Sequence, residues 1–324
     1  MKQTKKAGKR KALTILNTLL AIILALMLCV TALAHALMNK MNRVDGIFSG
    51  ENGGGLSADM GLTQEEKENL LGGEKNIVNI MLIGQDRREG EGRARSDAMI
   101  LLTINKKTKS VTLTSFLRDL YVEIPGYGGN RLNASYAYGG MELLNRTIAQ
   151  NFDIYIDGNV EVDFSQFSQI VDLVGGVDIT LRSDEAREIN SELGSSLTEG
   201  EQHLNGKQAL AYARIRKLDA DGDFSRTQRQ RTLINAIVRQ LKDAGLVKLL
   251  DIVEDVLPMV TTDMSNTEIL GYATALLPML VNLNITNQRI PADGAYSYAS
   301  VNGMSVLKAD MEANRQLLRQ TLGG

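Results

Sequence analysis

The chain has a single cysteine, Cys29, which excludes an intramolecular disulfide and any cysteine-based zinc site. Its only imidazoles are His35 and His203, too few for a multi-histidine metal centre. Carboxylates are the one ligand class in supply, and oxygen-only sites suit Mg²⁺, Ca²⁺ or Mn²⁺. No G-x-S-x-G or comparable nucleophile setting is present, and there is no fixed-period repeat or low-complexity block. Excess positive charge is confined to one place: residues 1–11 hold Lys2, Lys5, Lys6, Lys9, Arg10 and Lys11 and no acid, so a formal net charge of −2 leaves −8 on the remainder. An acidic bulk argues against nucleic acid as a partner. What the 324 residues do have is apolar material, 44% hydrophobic against 23% charged, enough for a real core in one large or two small domains.

Part of that apolar material is one uninterrupted run. From Ala12 to Ala34 no residue is charged, and these 23 residues match the ~20 needed to cross ~30 Å of hydrocarbon. The six cations before it, with only Lys40 and Arg43 close behind, predict a cytoplasmic N-terminus and an exterior remainder. Ala32-Leu33-Ala34 would pass as a signal-peptidase site, but the run exceeds an ordinary signal-peptide core, which favours an uncleaved anchor. Leu28 stands where a lipoprotein would need a small residue before Cys29. Gly50, Gly53, Gly54, Gly55 and Gly61 then mark a flexible tether, followed by a capping-box signature at Thr63 and Glu66 for a short helix.

Beyond the tether, NIVNIMLIG (76–84), DAMILLTIN (97–105) and SVTLTSFL (110–117) read as three strands in a meander. In such a meander the first strand ends where the second begins, and the second begins opposite the end of the third. Asp86, Asp97 and Arg118 are therefore expected at one edge of the sheet. A helical pattern at 141–152, a strand at 159–164, a helix at 165–176 and a strand at 177–182 give the alternation of a mixed α/β layer fold. Residues 240–283 read as mostly helical.

The stretch GDFSRTQRQR (222–231) packs three arginines and two glutamines into its last six positions. On a helix starting near Phe224 and capped by Asp223, Arg226, Arg229, Gln230, Leu233, Ile234, Ile237, Val238 and Leu241 recur at spacings of three and four. The cations thus continue the apolar stripe, and this basic end is expected to face a cleft. The plainer alternative is that the arginines snorkel at the core's rim or pair with Asp219, Asp221 and Asp223. Arg214 and Arg216, two apart, aim one way if the chain straightens after Tyr212. Arg95, Arg118, Arg214, Arg216 and Arg226 all fall at predicted element ends, where binding groups collect. Planar guanidinium forks match phosphate oxygens, and Asp86 with Asp97 could hold a bridging Mg²⁺. An apolar pocket with arginines and acids at its mouth is a site for an amphiphile with an anionic head. His203, before a predicted helix, reads as a structural hydrogen-bonding residue rather than a base, and Tyr136, Tyr138 and Tyr272 as packing residues.

IMLIGQDRREGEGRARSDAMILLTINKKTKSVTLTSFLRDLYVEIPGYG, RLNASYAYGG, FSQIVDLVGGVDITL, LNGKQALAYARIRK and DGDFSRTQRQR resemble, in order, the blocks of the LytR-CpsA-Psr family of cell-wall glycopolymer ligases, over roughly residues 76–240. The resemblance implies a three-layer α/β/α core with a central mixed sheet, here preceded by a single transmembrane helix. It also implies a phosphotransferase on the outer face of the cell membrane that moves an undecaprenyl-pyrophosphate-linked glycan (teichoic acid, capsule or similar) to the muramic acid 6-hydroxyl of peptidoglycan. The implied division is a basic cytoplasmic tail (1–11), a transmembrane signal anchor (12–37), a tether with a short helix (38–75), the catalytic core (76–240) and a helical C-terminal extension packing on that core (241–324).

Carried over position by position, the resemblance makes Asp86 and Asp97 the ligands of Mg²⁺, with Mn²⁺ as substitute. Arg95, Arg118, Arg131, Arg214, Arg216, Asp223, Arg226 and Gln230 become the pyrophosphate contacts, and Asp97, Arg118 and Arg216 the catalytic set. Leu117 replaces the usual proline, Arg131 the usual lysine and Ser225 the commoner glycine. Rival functions are a prenyl-pyrophosphate phosphatase, in which water replaces the sugar hydroxyl, and a non-catalytic lipid- or glycan-binding regulator. Direct transcriptional control is poorly supported, since a cytoplasmic portion of about eleven residues is far below the ~40 of an independent fold.

Overall fold

The computed structural model describes residues 36, 38–44, 69–73, 76–86, 95–219, 222–244, 246–276, 279 and 285–322. The predicted membrane run, most of the glycine tether and the Thr63–Glu66 cap lie outside these residues, and among the described ones no helix is long and apolar enough to cross a membrane. Residues 42–324 form one compact unit and residues 1–41 another.

The larger unit is built on a mixed seven-stranded sheet. Its strands are β1 (Asn42–Arg43), β2 (Ile77–Gln85), β3 (Ser96–Asn105), β4 (Ser110–Phe116), β7 (Gly158–Asp163), β10 (Thr261–Thr262) and β11 (Ile285–Ile290), in the order β1-β10-β7-β2-β3-β4-β11. The expected meander is present: β2 runs antiparallel to β3 and β3 to β4, with Leu82 opposite Ile100 and Ile100 opposite Ser115. β7 joins β2 in parallel and β11 joins β4 in parallel. The ends of β2, β4, β7 and β11 and the start of β3 consequently meet at one edge, outside the carboxyl ends of the parallel strands where α/β sheets bind ligands.

Alternation along the strands separates two faces. Met81, Ile83, Met99, Leu101 and Phe116 point to one side and join the main core with α1 (Leu132–Phe152) and α8 (Met311–Leu322), through Leu144, Ile148, Phe152, Leu318 and Leu322. Helical backbone already begins at Leu132, nine residues before the apolar pattern predicted, and is interrupted at Gly140, whose positive φ of 66° a side chain would strain. Leu82, Ile100 and Val160 point to the other side, toward α5 (Asp223–Asp243).

A second core holds α5 from outside. Val177, Ile179 and Leu181 of β8 (Val177–Leu181), Ile189 of α3 (Ser183–Leu193), Tyr212 of α4 (Gly206–Arg214) and Leu233 of α5 pack together. β9 (Gly200–Leu204) pairs with β8. α2 (Phe164–Leu173) and α4 each open with a full capping box, Asp163 with Gln166 and Asn205 with Gln208. α4 starts so close to α2 that a Cβ on Gly206 would sit 1.9 Å from the Ser168 carbonyl oxygen.

Residues 241–324 do more than pack on a finished core, because they supply β10 and β11 of the central sheet. The helical reading of 240–283 is met by α6 (Leu246–Val256) and α7 (Asn266–Leu276). Two hairpins have no counterpart in the sequence reading: β5 (Tyr121–Ile124) with β6 (Gly128–Arg131), and β12 (Tyr296–Val301) with β13 (Met304–Ala309).

At the opposite end of β2, Asp157 accepts a hydrogen bond from the Asn79 N–H at 2.7 Å. Burial, helped by nearby Glu268 against the pull of Lys106, pushes its carboxyl up to about 7. An unfolded aspartate titrates near ~4, so between about pH 4 and 7 the native chain holds a proton the unfolded chain has released. Stability therefore falls as pH rises through that window, by at most about 4 kcal/mol. Asp157→Asn is expected to flatten this part of the pH–stability curve in urea titrations; an unchanged slope would contradict it.

Candidate active site

At the gathered edge, a cavity of about 650 Å³ opens between the sheet and α5. Its walls are apolar: Leu82, Ile100 and Val160 from the strands, Ile234, Ile237 and Leu241 from the helix. At its head stand Asp86, Asp97, Arg214, Arg216, Arg226 and Gln230. The volume suits a small amphiphile or part of a longer chain, within the ~300–1,000 Å³ of ordinary ligand pockets.

Element termini place most of these groups and also Arg118 and Asp223, which adjoin the head without lining the cavity. Asp97 is the second residue of β3, and Arg118 lies two residues beyond β4, so strand pairing brings Arg118 Nη1 to 2.5 Å from Asp97 Oδ1. Asp223 opens α5, and its Oδ1 is 3.0 Å from Arg226 Nη2, 3.5 Å from Arg118 Nε and 3.5 Å from Arg216 Nη2. Arg226 also donates to the Asp97 carbonyl at 3.1 Å. One carboxylate thus collects three guanidinium groups that would otherwise repel.

The electrostatics follow from this sharing. Burial alone would lower the pKa of Arg118, but Asp223 and Asp97 outweigh it and hold it above the usual value. Arg226 is only 4% exposed, and burial, with Arg118 and Arg216 adding to it, leaves its pKa lowered despite Asp223 and Asp97. Several buried polar atoms here have no hydrogen-bond partner among the described residues: Arg118 Nε, Arg226 Nε, Gln230 Oε1 and Asp223 Oδ1, though Arg118 Nε and Asp223 Oδ1 are within ion-pair range of each other. Such atoms are costly unless something satisfies them, and a polyanion at the head would satisfy the donors.

Asp86 and Asp97 are a donor set suited to Mg²⁺, which is commonly held by one or two carboxylates together with substrate phosphates. Among the described residues no group of three or more Asp, Glu, His or Cys side chains could hold a metal ion by itself.

Not every residue singled out from the sequence lines this cavity. α4 remains helical through Arg214, two residues further than expected, yet Arg214 and Arg216 both line the head; Arg214 also lies 5.4 Å over the Phe164 ring. Arg131 does not line it: its guanidinium binds the Ser305 carbonyl at 2.5 and 3.0 Å and Asp119 at 3.3 Å. It communicates with the head only through Asp119, 3.8 Å from Arg118, a bridging acid that sequence reasoning passed over although it follows Arg118 directly. Arg95 is exposed ahead of β3 and is not among the lining residues.

Arg229 leaves the stripe altogether. It is 3% exposed and bonds Glu185 at 2.8 Å, the Ile215 carbonyl at 3.1 Å and Asp219, so the plainer reading of that arginine holds. His203 sits outside the cavity with Nδ1 2.6 Å from Asp178 and Nε2 2.9 Å from the Gly175 carbonyl oxygen. Phe164, missed in the sequence, lines the cavity because it follows the Asp163 cap of α2.

The profile of the LytR_cpsA_psr family matches residues 52–321. The polyisoprenyl-teichoic acid–peptidoglycan teichoic acid transferase TagU of Oceanobacillus iheyensis is 34% identical over 272 residues, 80% of this chain and 80% of its own length. The transferase TagT of Bacillus subtilis is 31% identical over 256 residues, 77% and 78% of the two chains. Among solved structures, the LytR-CPS2A-psr family protein YwtF (TagT) with bound octaprenyl pyrophosphate lipid superposes with a TM-score of 0.59 at 28% identity, covering 77% of this chain and 92% of that one.

Proposed function

The chain belongs to the LytR-CpsA-Psr family, and from that premise we propose that it transfers a glycopolymer from a polyprenyl pyrophosphate carrier to peptidoglycan, as a phosphodiester on a muramic acid hydroxyl. The observation that carries this reading is the apolar cavity ending in a cluster of arginines and aspartates, a shape that takes a prenyl chain in its body and a pyrophosphate at its head. The solved relative with bound octaprenyl pyrophosphate lipid supports the same ligand class.

In the proposed step the acceptor hydroxyl attacks the phosphorus that carries the glycan, a new P–O bond forms, and the bond to prenyl phosphate breaks. Arg216, Arg226 and Arg118 offset the charge that spreads over the phosphoryl oxygens and the leaving phosphate. The hydroxyl proton passes to the carboxylate of Asp97, whose other oxygen is held by Arg118. Mg²⁺ on Asp86 and Asp97 would neutralise further charge on the pyrophosphate.

The location is part of the proposal. The uncharged run at 12–34 and the six preceding cations support a single membrane crossing, with a cytoplasmic tail and an exterior catalytic domain that could reach wall polymers.

The test uses the full-length protein in detergent with a lipid-pyrophosphate-linked sugar, peptidoglycan oligomers and Mg²⁺, followed by mass spectrometry of the oligomers. Covalent attachment that needs the acceptor, stops on chelation and returns with Mg²⁺ is expected. Release of free sugar phosphate without attachment would replace the ligase with a phosphatase, and unchanged bound lipid would leave a binding protein.

A further inference from the structure

A row of aromatic rings, none of which lines the apolar cavity, starts beside the charged head. Phe224 directly follows the hub residue Asp223 in α5 and lies beneath the Arg289 guanidinium, 4.5 Å from ring centre to cation. Its centroid is 5.0 Å from that of Tyr296, and Tyr296 is 5.8 Å from Tyr298, the two tyrosines meeting edge to face. Exposure grows along the row, from 3% at Phe224 to 68% at Tyr298.

The two tyrosines share one face of β12, opposite Ala309 and Leu307 of β13. That hairpin is clamped beside the head: the Leu307 N–H donates to the Asp119 carbonyl at 2.9 Å, and Arg131 ties Asp119 to the Ser305 carbonyl. The contacts therefore run in order from the cavity to Asp97 and Arg226, then to Arg118 and Asp223, then to Asp119 and Phe224, and finally to Tyr296 and Tyr298.

A single exposed tyrosine is ordinary on a protein surface. This one ends a supported row that starts at the reacting centre, and in-line displacement gives that row a purpose. When attacking and leaving oxygens stand opposite each other across phosphorus, a prenyl phosphate leaving into the cavity requires the nucleophile to approach from the far side. The rings start at the head and lie outside the cavity that would take the leaving prenyl phosphate. An aromatic face offers a flat apolar surface to the C–H face of a pyranose, and a tyrosine adds a polar rim for its hydroxyls.

We propose that Tyr298, braced by Tyr296 and Phe224, is the platform on which a sugar of the acceptor glycan strand stacks, directing its hydroxyl toward the Asp97–Arg118 pair. The inference deepens the phosphotransferase reading and rests on it for the chemistry, though not for the binding.

The test measures fluorescence polarisation of a labelled tetrasaccharide of the peptidoglycan backbone on full-length protein, beside acceptor and donor KM in the transfer assay. Tyr298→Ala is expected to weaken tetrasaccharide binding and raise acceptor KM about tenfold, the effect of losing one aromatic anchor, with donor KM unchanged. Tyr298→Phe, which keeps the ring, is expected to stay within about twofold of wild type. Unchanged tetrasaccharide affinity and acceptor KM in Tyr298→Ala would overturn the platform, as would a rise in donor KM alone, which would give the ring to the donor's glycan. If wild type transfers nothing, the phosphotransferase reading falls instead, and polarisation, which needs no catalysis, still decides the platform.

Discussion

Arg118→Ala is expected to lower acceptor-dependent transfer by about a thousandfold in kcat, with a far smaller change in affinity for the lipid pyrophosphate. The reason is position. Arg118 is the one cation that touches Asp97, approaches Asp223 and reaches toward Asp119. Its loss removes positive charge where charge develops in the transition state and takes from Asp97 its nearest guanidinium, leaving it only Arg226 at 3.9 Å among the described residues. Apolar contacts along Ile234, Ile237 and Leu241, which hold the prenyl chain in the proposed complex, are untouched. Arg118→Lys separates charge from geometry: a point charge restores the balance among the acids but not the two-sided fork, so most of the deficit should persist. A fall of tenfold or less in both variants, with folding intact by thermal melt, would remove Arg118 from the catalytic set.

Arg229→Ala should instead be a folding defect, costing about 3–5 kcal/mol. The guanidinium and the Glu185 carboxylate are both almost fully buried, and Asp219 and the Ile215 carbonyl complete the pairing. Removing the cation takes the closest guanidinium from buried Glu185, which keeps the Arg182 N–H at 2.9 Å and its guanidinium at 3.6 Å, beside Tyr212, whose hydroxyl is pushed up to about 12, first by burial and then by that carboxylate. The cost should appear as a lower urea midpoint with an unchanged m-value. Arg229→Met with Glu185→Leu should recover a good part of it, since burying neither charge is often as good as burying both. A single variant as stable as wild type would show that the second core does not depend on the pair.

These two arginines also mark where the sequence could be read and where it could not. The meander of β2, β3 and β4 was legible because continuous apolar runs joined by short turns leave few alternatives, and pairing geometry then placed Asp86, Asp97 and Arg118 together. The stripe on α5 was legible from spacing alone. Arg229 falls on the flank of that stripe, and its partner Glu185 belongs to α3, a helix too polar in sequence to stand out from a loop. β11 was hidden for a related reason: ITNQRI is a polar, half-exposed edge strand, and its place beside β4 is set by partners some 174 residues earlier. The clamp of Arg131 on the β12–β13 hairpin was likewise invisible, because a basic residue near an anion site and one holding a neighbouring carbonyl look the same in sequence.

The pairing of Ile285 with Val111 has a further meaning in the order of synthesis. The ribosome makes β4 well before β11, so the sheet edge beside Arg118 stays open until the chain has grown some 174 residues beyond Val111. Leu117 donates to the Ile290 carbonyl at 2.9 Å, which ties the backbone next to Arg118 to that final strand. The backbone beside the reactive corner is therefore fixed by a strand made much later than β4, and pairing over so long a separation makes folding slow compared with local helix formation. Synthesis of β11 and closure of the sheet beside the charged centre are thereby coupled.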